Sequence, residues 1–165
     1  MTAINYTQYS APLRQTLQPN ADAIFPAAAI RDNSGMIFHE AQTGIFSLAS
    51  PRALGLASYG RRQCCCNRGM PIATYAVEVN GNVAISEGGT AGPISLAIIV
   101  DDSPAPTGII TVTPAAVGDL WSIGRSLIVP VPAICGCSKI SLRNISTKAV
   151  DLVNANIQIR PPRLF

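Results

Sequence analysis

The sequence predicts an all-β fold, a sandwich or jelly-roll of short strands, and three observations predict it. First, 13 glycines and 13 prolines interrupt nearly every window of this 165-residue chain that is long enough for an amphipathic helix. Second, short runs of β-favouring residues recur along the chain. Third, turn sequences separate those runs at a spacing that is typical of antiparallel sandwiches.

The predicted strands follow one another over most of the chain, from residue 23 onward. Asp, Asn, Gly and Pro residues in the intervals, as at 101–104, favour turns. Asn80-Gly81 between two apolar runs predicts a tight hairpin with a primed turn. The runs predicted as strands are 23–30, 44–49, 72–79, 82–86, 93–100, 108–113, 126–131, 139–145 and 150–159.

Alternation of apolar and polar residues predicts which strands expose one face to water. Ile140 and Leu142 alternate with polar residues, and the last strand, 150–159, alternates in the same way towards its end. By contrast, 94–100 is apolar on nearly both faces. One face of that strand belongs to the core, and the other is covered either by the same chain or by a neighbouring subunit.

The N-terminal residues 1–21 differ from the rest because their apolar side chains follow no strict period. Such a segment is either a frayed terminus or an extended arm that orders on a partner, reaching about 60 Å. We favour the arm, which gives an N-terminal anchoring arm over 1–21 and a jelly-roll domain over 22–165. The side chains expected to make the anchoring contacts are Tyr6, Tyr9, Leu13 and Leu17.

The composition limits the classes of partner that we expect this chain to bind. Hydrophobic residues make up 48% of the chain and charged residues 13%, an excess that suits burial against copies of the same chain. The net charge of +3 comes from scattered residues, so no nucleic-acid partner is expected. The first residues lack the pattern of a signal peptide, and 94–100 is too short to span a bilayer. We therefore expect synthesis in a cytoplasm and no membrane partner.

The sequence offers little for catalysis, so we expect no enzyme and no cofactor. His39 is the single histidine, which excludes a metalloprotease pair and a second imidazole, and we expect it in solvent or at the core edge. Asp101 and Asp102 are the only close carboxylate pair, and they fit a hairpin turn better than a glycosidase site. Trp121 is expected in the core.

Five cysteines occur in two groups, Cys64-Cys65-Cys66 and Cys135-Gly136-Cys137. If these segments are extended, Cys64 and Cys66 share a face, as do Cys135 and Cys137, and four thiolates on neighbouring strands could hold a tetrahedral zinc ion. Neither spacing matches the tight knuckles of structural zinc sites, so we expect no metal. The alternatives are small buried hydrophobic residues or disulfides formed late.

A series of segments from residue 88 onward resembles a known family. The segments are Gly88-Gly89-Thr90-Ala91-Gly92-Pro93-Ile94-Ser95-Leu96-Ala97-Ile98, Val112-Thr113-Pro114-Ala115-Ala116-Val117, Val129-Pro130-Val131-Pro132, Cys135-Gly136-Cys137 and Val150-Asp151-Leu152-Val153-Asn154-Ala155-Asn156-Ile157. The series resembles short phage proteins with a tumour-necrosis-factor-like jelly-roll, described as head fibre or capsid decoration proteins, including those of crAss-like gut phages. Upstream of the series, Ile37-Phe38-His39-Glu40-Ala41-Gln42-Thr43-Gly44 is similar to the early strands of the same proteins. The resemblance covers most of 22–160.

The resemblance implies a virion structural protein: a homotrimer on the capsid surface, synthesised in the host cytoplasm and attached to a capsid protein through its N-terminal segment. The doubly apolar strand then becomes a candidate contact between subunits. The alternative is an adhesion module whose loops 86–92 and 103–108 bind glycans or a host surface protein. The residues expected at the trimer contact are Leu96, Ile98, Val100, Ile157 and Ile159.

Overall fold

The computed structural model describes residues 7–30, 36–49, 72–132 and 137–161, and the regular structure in these ranges is entirely β-strand. The all-β prediction is therefore confirmed for the described chain. The strands are β1 (Thr7–Ser10), β2 (Arg14–Leu17), β3 (Ala27–Ile30), β4 (Ile37–Glu40), β5 (Ile45–Ala49), β6 (Ile72–Ile85), β7 (Ile94–Val100), β8 (Ser103–Val112), β9 (Trp121–Pro132), β10 (Cys137–Asn144) and β11 (Val150–Arg160).

The strands form two antiparallel sheets. Sheet A has the order β3-β1-β11-β6-β9, with β2 pairing the other half of β11, and sheet B has the order β4-β5-β10-β7-β8. From β5 onward the chain crosses between the sheets at every step except the β7–β8 hairpin, because β6, β9 and β11 lie in sheet A and β7, β8 and β10 in sheet B. This crossing pattern is that of a jelly-roll.

The core lies between the sheets and is built from the alternate residues of each strand. In β11 the buried residues Ile157 and Ile159 alternate with half-buried polar residues, as the sequence pattern predicts. Strand β7 is buried on both faces, since Ala97 and Ile99 are as inaccessible as the residues facing the core. That burial exists within one chain. The predicted burial of both faces of 94–100 therefore occurs within one chain, without a neighbouring subunit.

The predicted hairpin at Asn80-Gly81 is wrong. Strand β6 runs unbroken over its 14 residues, and Asn80 and Gly81 lie in its middle. They lie opposite an irregularity in β11 between Val153 and Asn156. A Cβ on Gly81 would stand 2.9 Å from both Cα and Cβ of Ala155, so glycine is needed for the close approach of the two strands.

The turn predicted at Asp101 and Asp102 is confirmed. Both residues have positive φ, 48° and 66°, and they join β7 to β8 where Val100 pairs with Ser103. Two successive positive φ values define a primed turn, whose twist matches that of the flanking strands. The Asp101 side chain also accepts a hydrogen bond of 2.8 Å from the backbone N–H of Lys139.

The N-terminal segment differs from the predicted arm wherever the structure describes it. Strands β1 and β2 both pair with β11, so residues 7–17 belong to sheet A. The loop that follows is also held, because Asn20 N–H donates to the Asn144 carbonyl and Ala23 N–H to that of Leu142. The strand period was hidden in the sequence because the two four-residue strands are separated by a break at 11–13.

Candidate assembly surface

The outer face of sheet A carries two rows of side chains across its strands. The first row is Gln8, Gln158, Glu78 and Ser126, and the second is Ser10, Asn156, Asn80 and Gly124, each joined by strand register. These positions alternate with core residues, so their side chains lie on the face away from the other sheet. We call the eight residues of the two rows the amide face.

The amide face is polar but contains few charges. Asn80 Nδ2 donates a hydrogen bond of 3.1 Å to Glu78 Oε1, which occupies part of the hydrogen-bonding capacity of the row. Asn156 Oδ1, in contrast, is buried and accepts no hydrogen bond from the described residues. A buried acceptor without a donor costs free energy, so this amide oxygen opposes the stability of the second row.

Strand β9 supplies the last members of the amide face, Ser126 and Gly124, and also exposes apolar side chains. It is the last strand in the order of sheet A. Ile128 is 59% exposed, Leu120, which precedes the strand, is 60% exposed, and Trp121 is 44% exposed. The prediction that Trp121 belongs to the core is wrong, because it is the first residue of β9, at the end of the sheet beside Val83. An apolar edge beside a flat polar face is a surface suited to protein contact.

A buried carboxylate holds strand β2 to this sheet. Asp151 of β11 is almost inaccessible and accepts hydrogen bonds from Thr16 Oγ1 at 2.6 Å and Ser86 Oγ at 2.8 Å. It also forms an ion pair with Arg14 of β2. Burial would raise the pKa of Asp151, but the hydrogen bonds from Thr16, Arg14 and Ser86 outweigh it and hold the pKa below its usual value.

The residues predicted at the trimer contact lie in the interior of the single chain. The four members other than Val100 are buried between the sheets, and Val100 packs against the same core. Their side chains are therefore committed to the fold, and a contact between chains has to use other residues. On β11, these are the outward residues Asn156 and Gln158, which alternate with Ile157 and Ile159.

The four residues predicted to anchor the chain are not equivalent. Tyr6 lies outside the described residues. Tyr9 and Leu17 are buried members of the core cluster, so they stabilise the sandwich. Leu13 is 81% exposed at the break between β1 and β2, and it is the described member whose side chain is available to a partner.

The candidate zinc ligands Cys64, Cys66 and Cys135 lie outside the described residues. Cys137, at the start of β10, is disulfide-bonded. A disulfide sulfur supplies no thiolate, so the four-cysteine zinc set cannot form in this oxidation state. Within the described ranges, no three His, Cys, Asp or Glu side chains are grouped so that they could hold a metal ion. The described residues also contain no helix that is long and apolar enough to cross a membrane.

The two loops predicted to bind glycans or a host surface have different structures. Residues 103–108 are not a loop, because β8 begins at Ser103. Residues 86–92 are a loop, which the Lys148 ammonium group holds by donating hydrogen bonds of 2.9 and 3.0 Å to the carbonyls of Thr90 and Ala91. Only the second segment therefore has the conformation expected of a binding loop.

Comparison with solved structures finds several to which this chain is similar. Eiger TNF from S. frugiperda matches 96% of this chain and 92% of its own, at 10% identity and a TM-score of 0.56. A family 35 carbohydrate-binding module, CBM35 from Cellvibrio japonicus Abf62, matches 97% of this chain and 98% of its own, at 9% identity and a TM-score of 0.31. An isomalto-dextranase of Arthrobacter globiformis T6, complexed with panose, matches 94% of this chain but 23% of its own, at 11% identity and a TM-score of 0.36.

The first likeness supports a tumour-necrosis-factor-like jelly-roll, which agrees with the fold class predicted from the sequence. At this level of identity it shows the fold alone. The other two scores are below 0.5 and carry no argument. No protein-family model matches the chain, and no curated protein matches it.

Proposed function

We propose that this chain is a non-enzymatic virion structural protein, a homotrimeric head fibre or capsid decoration protein that needs no cofactor. The observation that carries the proposal is the outer surface of sheet A, where the exposed Ile128 of β9 lies beside the amide face. The sequence resemblance to phage decoration proteins supports the assignment, and the likeness to Eiger TNF supports the jelly-roll fold that it requires.

The two parts of this surface complement each other between copies. If the outer face of β9 in one copy packs on the amide face of the next, Ile128 loses its exposure. Such a contact is heterologous, and three equal rotations close it into a ring in which every copy uses both parts.

Light scattering on the purified chain tests the assembly. We expect a mass three times the 17.3 kDa of one chain. Ile128→Glu places a charge in the proposed contact and should shift the protein to monomers with little change in its circular dichroism. The matched control is Ile109→Glu, because Ile109 is an exposed isoleucine on β8, the edge strand of the other sheet. A monomeric parent chain, or equal effects of the two variants, would contradict the proposed contact.

The attachment part of the proposal concerns the residues up to Leu13 and a capsid protein as the partner. We propose that the assembled protein lies at the virion surface and that it is synthesised in the host cytoplasm. Deletion of 1–6 and Leu13→Ser both spare β1 and β2, so the trimer should persist while binding to capsids falls. Undiminished decoration by the doubly altered protein would contradict attachment through this segment.

A second candidate function is adhesion to glycans or to a host surface protein. It is favoured by the loop 86–92, which Lys148 holds in place, and by the exposed Val117 and Leu120 in the loop 113–120, which enters sheet A at the same end of the sandwich. Several weak contacts on one particle would add up through multivalency. A glycan array probed with the trimer tests this, and signals that vanish on Lys148→Ala would support adhesion, whereas uniformly blank spots would leave decoration.

A further inference from the structure

The single histidine lies where the two sheets meet at the edge of the core, one of the two positions expected from the sequence. The His39 ring of β4 stacks on Phe46 of β5, with centroids 4.4 Å apart and an interplanar angle of 16°. Its centroid is 4.5 Å from that of Tyr9 in β1. Because β1 belongs to sheet A and β4 and β5 to sheet B, this ring joins the first described strand to the opposite sheet.

The surroundings of His39 disfavour the protonated, charged form of its imidazole. Its Nε2 atom is buried and has no hydrogen-bond partner among the described residues. The neighbouring strands β1 and β5 contain no carboxylate and no cationic side chain, and the charged group that acts on the ring is Glu40 of its own strand. Burial lowers the pKa of His39 below 6.5, and Glu40 opposes this only in part.

We propose that His39 is an acid-sensitive latch, which holds β1 against sheet B while the imidazole is neutral and releases β1 with the residues before it when the imidazole is protonated. Strand β1 is only four residues long, and its register with β3 shifts between Gln8 and Tyr9. Although β1 lies between β3 and β11, four residues make few of the hydrogen bonds that hold a strand, so β1 can open locally at lower free energy than the whole domain unfolds. This inference goes beyond the assembly role and does not depend on it.

The direction follows from the linkage between protonation and opening. In the open state the imidazole is solvated, and its pKa returns towards about 6.5. The proton therefore binds the open state more tightly than the closed state. The open fraction rises as the pH falls below about 6.5 and stops rising below the pKa of the closed state. A difference of one pH unit between the two pKa values corresponds to about a tenfold larger opening constant.

Two measurements on the intact chain test the latch. Because His39 is the single histidine, its imidazole NMR signals need no assignment and give its pKa directly. Amide hydrogen exchange gives protection factors, corrected for the intrinsic effect of pH, for peptides covering 7–10 and, as an internal reference, 139–144. We expect a His39 pKa below 6.5 and lower protection of 7–10 at pH 5 than at pH 7, with 139–144 unchanged.

Two variants separate the latch from general acid sensitivity. His39→Phe keeps an aromatic ring and cannot titrate, so protection of 7–10 should no longer change between pH 7 and pH 5. Glu40→Gln removes the charge that partly stabilises the imidazolium, so the His39 pKa should fall further. An acid-induced loss of protection that persists in His39→Phe, or a His39 pKa of 6.5 or more in the parent chain, would overturn the proposal. The NMR measurement decides the matter even if His39→Phe fails to fold.

Discussion

The Asp151 carboxylate accepts a hydrogen bond of 2.6 Å from the Thr16 hydroxyl, which joins β2 to β11 on the outer side of sheet A. Ser86 and Arg14 donate to the same group. Asp151→Asn removes the charge and leaves one acceptor oxygen for three donors, so we expect a loss of about 2 to 3 kcal/mol of unfolding free energy. Urea unfolding at pH 7 measures it.

The control for Asp151→Asn is Glu78→Gln. Glu78 also forms an ion pair on sheet A, with Arg160 at 3.8 Å, but both side chains are substantially exposed. Solvent screens such a pair, and its loss should change the unfolding free energy by less than about 0.5 kcal/mol. Equal losses in the two variants would mean that burial of the Asp151 carboxylate does not determine its contribution.

Asp151 also predicts a specific pH dependence of stability. Its pKa in the folded chain lies below the ordinary 3.8, because the hydrogen bonds to the carboxylate outweigh the effect of burial. The unfolded chain therefore binds the proton more readily, and the contribution of Asp151 is complete above about pH 5 and is lost as the pH falls through the folded pKa. The difference in unfolding free energy between the parent chain and Asp151→Asn should shrink from pH 5 to pH 2.5, as urea titrations can follow. A constant difference would contradict the lowered pKa.

Gly81 and Gly124 give a matched pair on neighbouring strands of sheet A. A Cβ at Gly81 would meet the backbone Cα and the Cβ of Ala155 at 2.9 Å, whereas a Cβ at Gly124 would meet the movable Asn80 Oδ1 at 3.0 Å. Gly81→Ala should cost about 1 to 3 kcal/mol, because β6 and the irregular part of β11 must move apart. Gly124→Ala should cost clearly less. Thermal unfolding of both variants measures the two losses, and a larger loss for Gly124→Ala than for Gly81→Ala would contradict this interpretation.

Much of the fold could be predicted because strand and turn signals are local. Apolar runs such as 94–100, and the turn residues Asp101 and Asp102, depend on neighbours in the sequence, and the structure has them where they were predicted. The continuity of β6 through Asn80-Gly81 could not be predicted. It depends on an irregularity in β11, 70 or more residues away, where Ala155 comes close to Gly81. A local Asn-Gly pair contains no information about that contact.

The candidate surface was harder to predict than the fold. Ile157 and Ile159 were predicted at a subunit contact because they are strongly apolar. The most apolar residues of a strand are, however, the ones most often buried in the core of the same chain, and both lie there. The outward residues Asn156 and Gln158 between them are ordinary polar residues in the sequence. The sequence feature that points to this surface is Ile128. It lies on the same side of β9 as Ser126 and Gly124, whereas Val129 and Val131 lie on the other side and are buried in the core.

The four residues proposed for anchoring should divide into two classes. Tyr9→Ala removes a buried ring that contacts Phe46 with centroids 5.0 Å apart, so it should cost about 3 kcal/mol or more of unfolding free energy. Leu13→Ala alters an exposed side chain and should change stability by less than about 0.5 kcal/mol. Urea unfolding of each variant decides between the classes, and a Leu13→Ala loss comparable to that of Tyr9→Ala would show that Leu13 belongs to the fold.

The disulfide at Cys137 gives the last prediction. Its partner is one of the other four cysteines, all of which lie outside the described residues. Cys137→Ser should lower the unfolding free energy by about 2 to 4 kcal/mol under non-reducing conditions, and a reductant should lower the parent chain to about the same value. Peptide mapping without reduction should find the Cys137 peptide cross-linked. Reduced protein that binds one equivalent of zinc per chain, and loses it in Cys137→Ser, would instead support a thiolate role for Cys137.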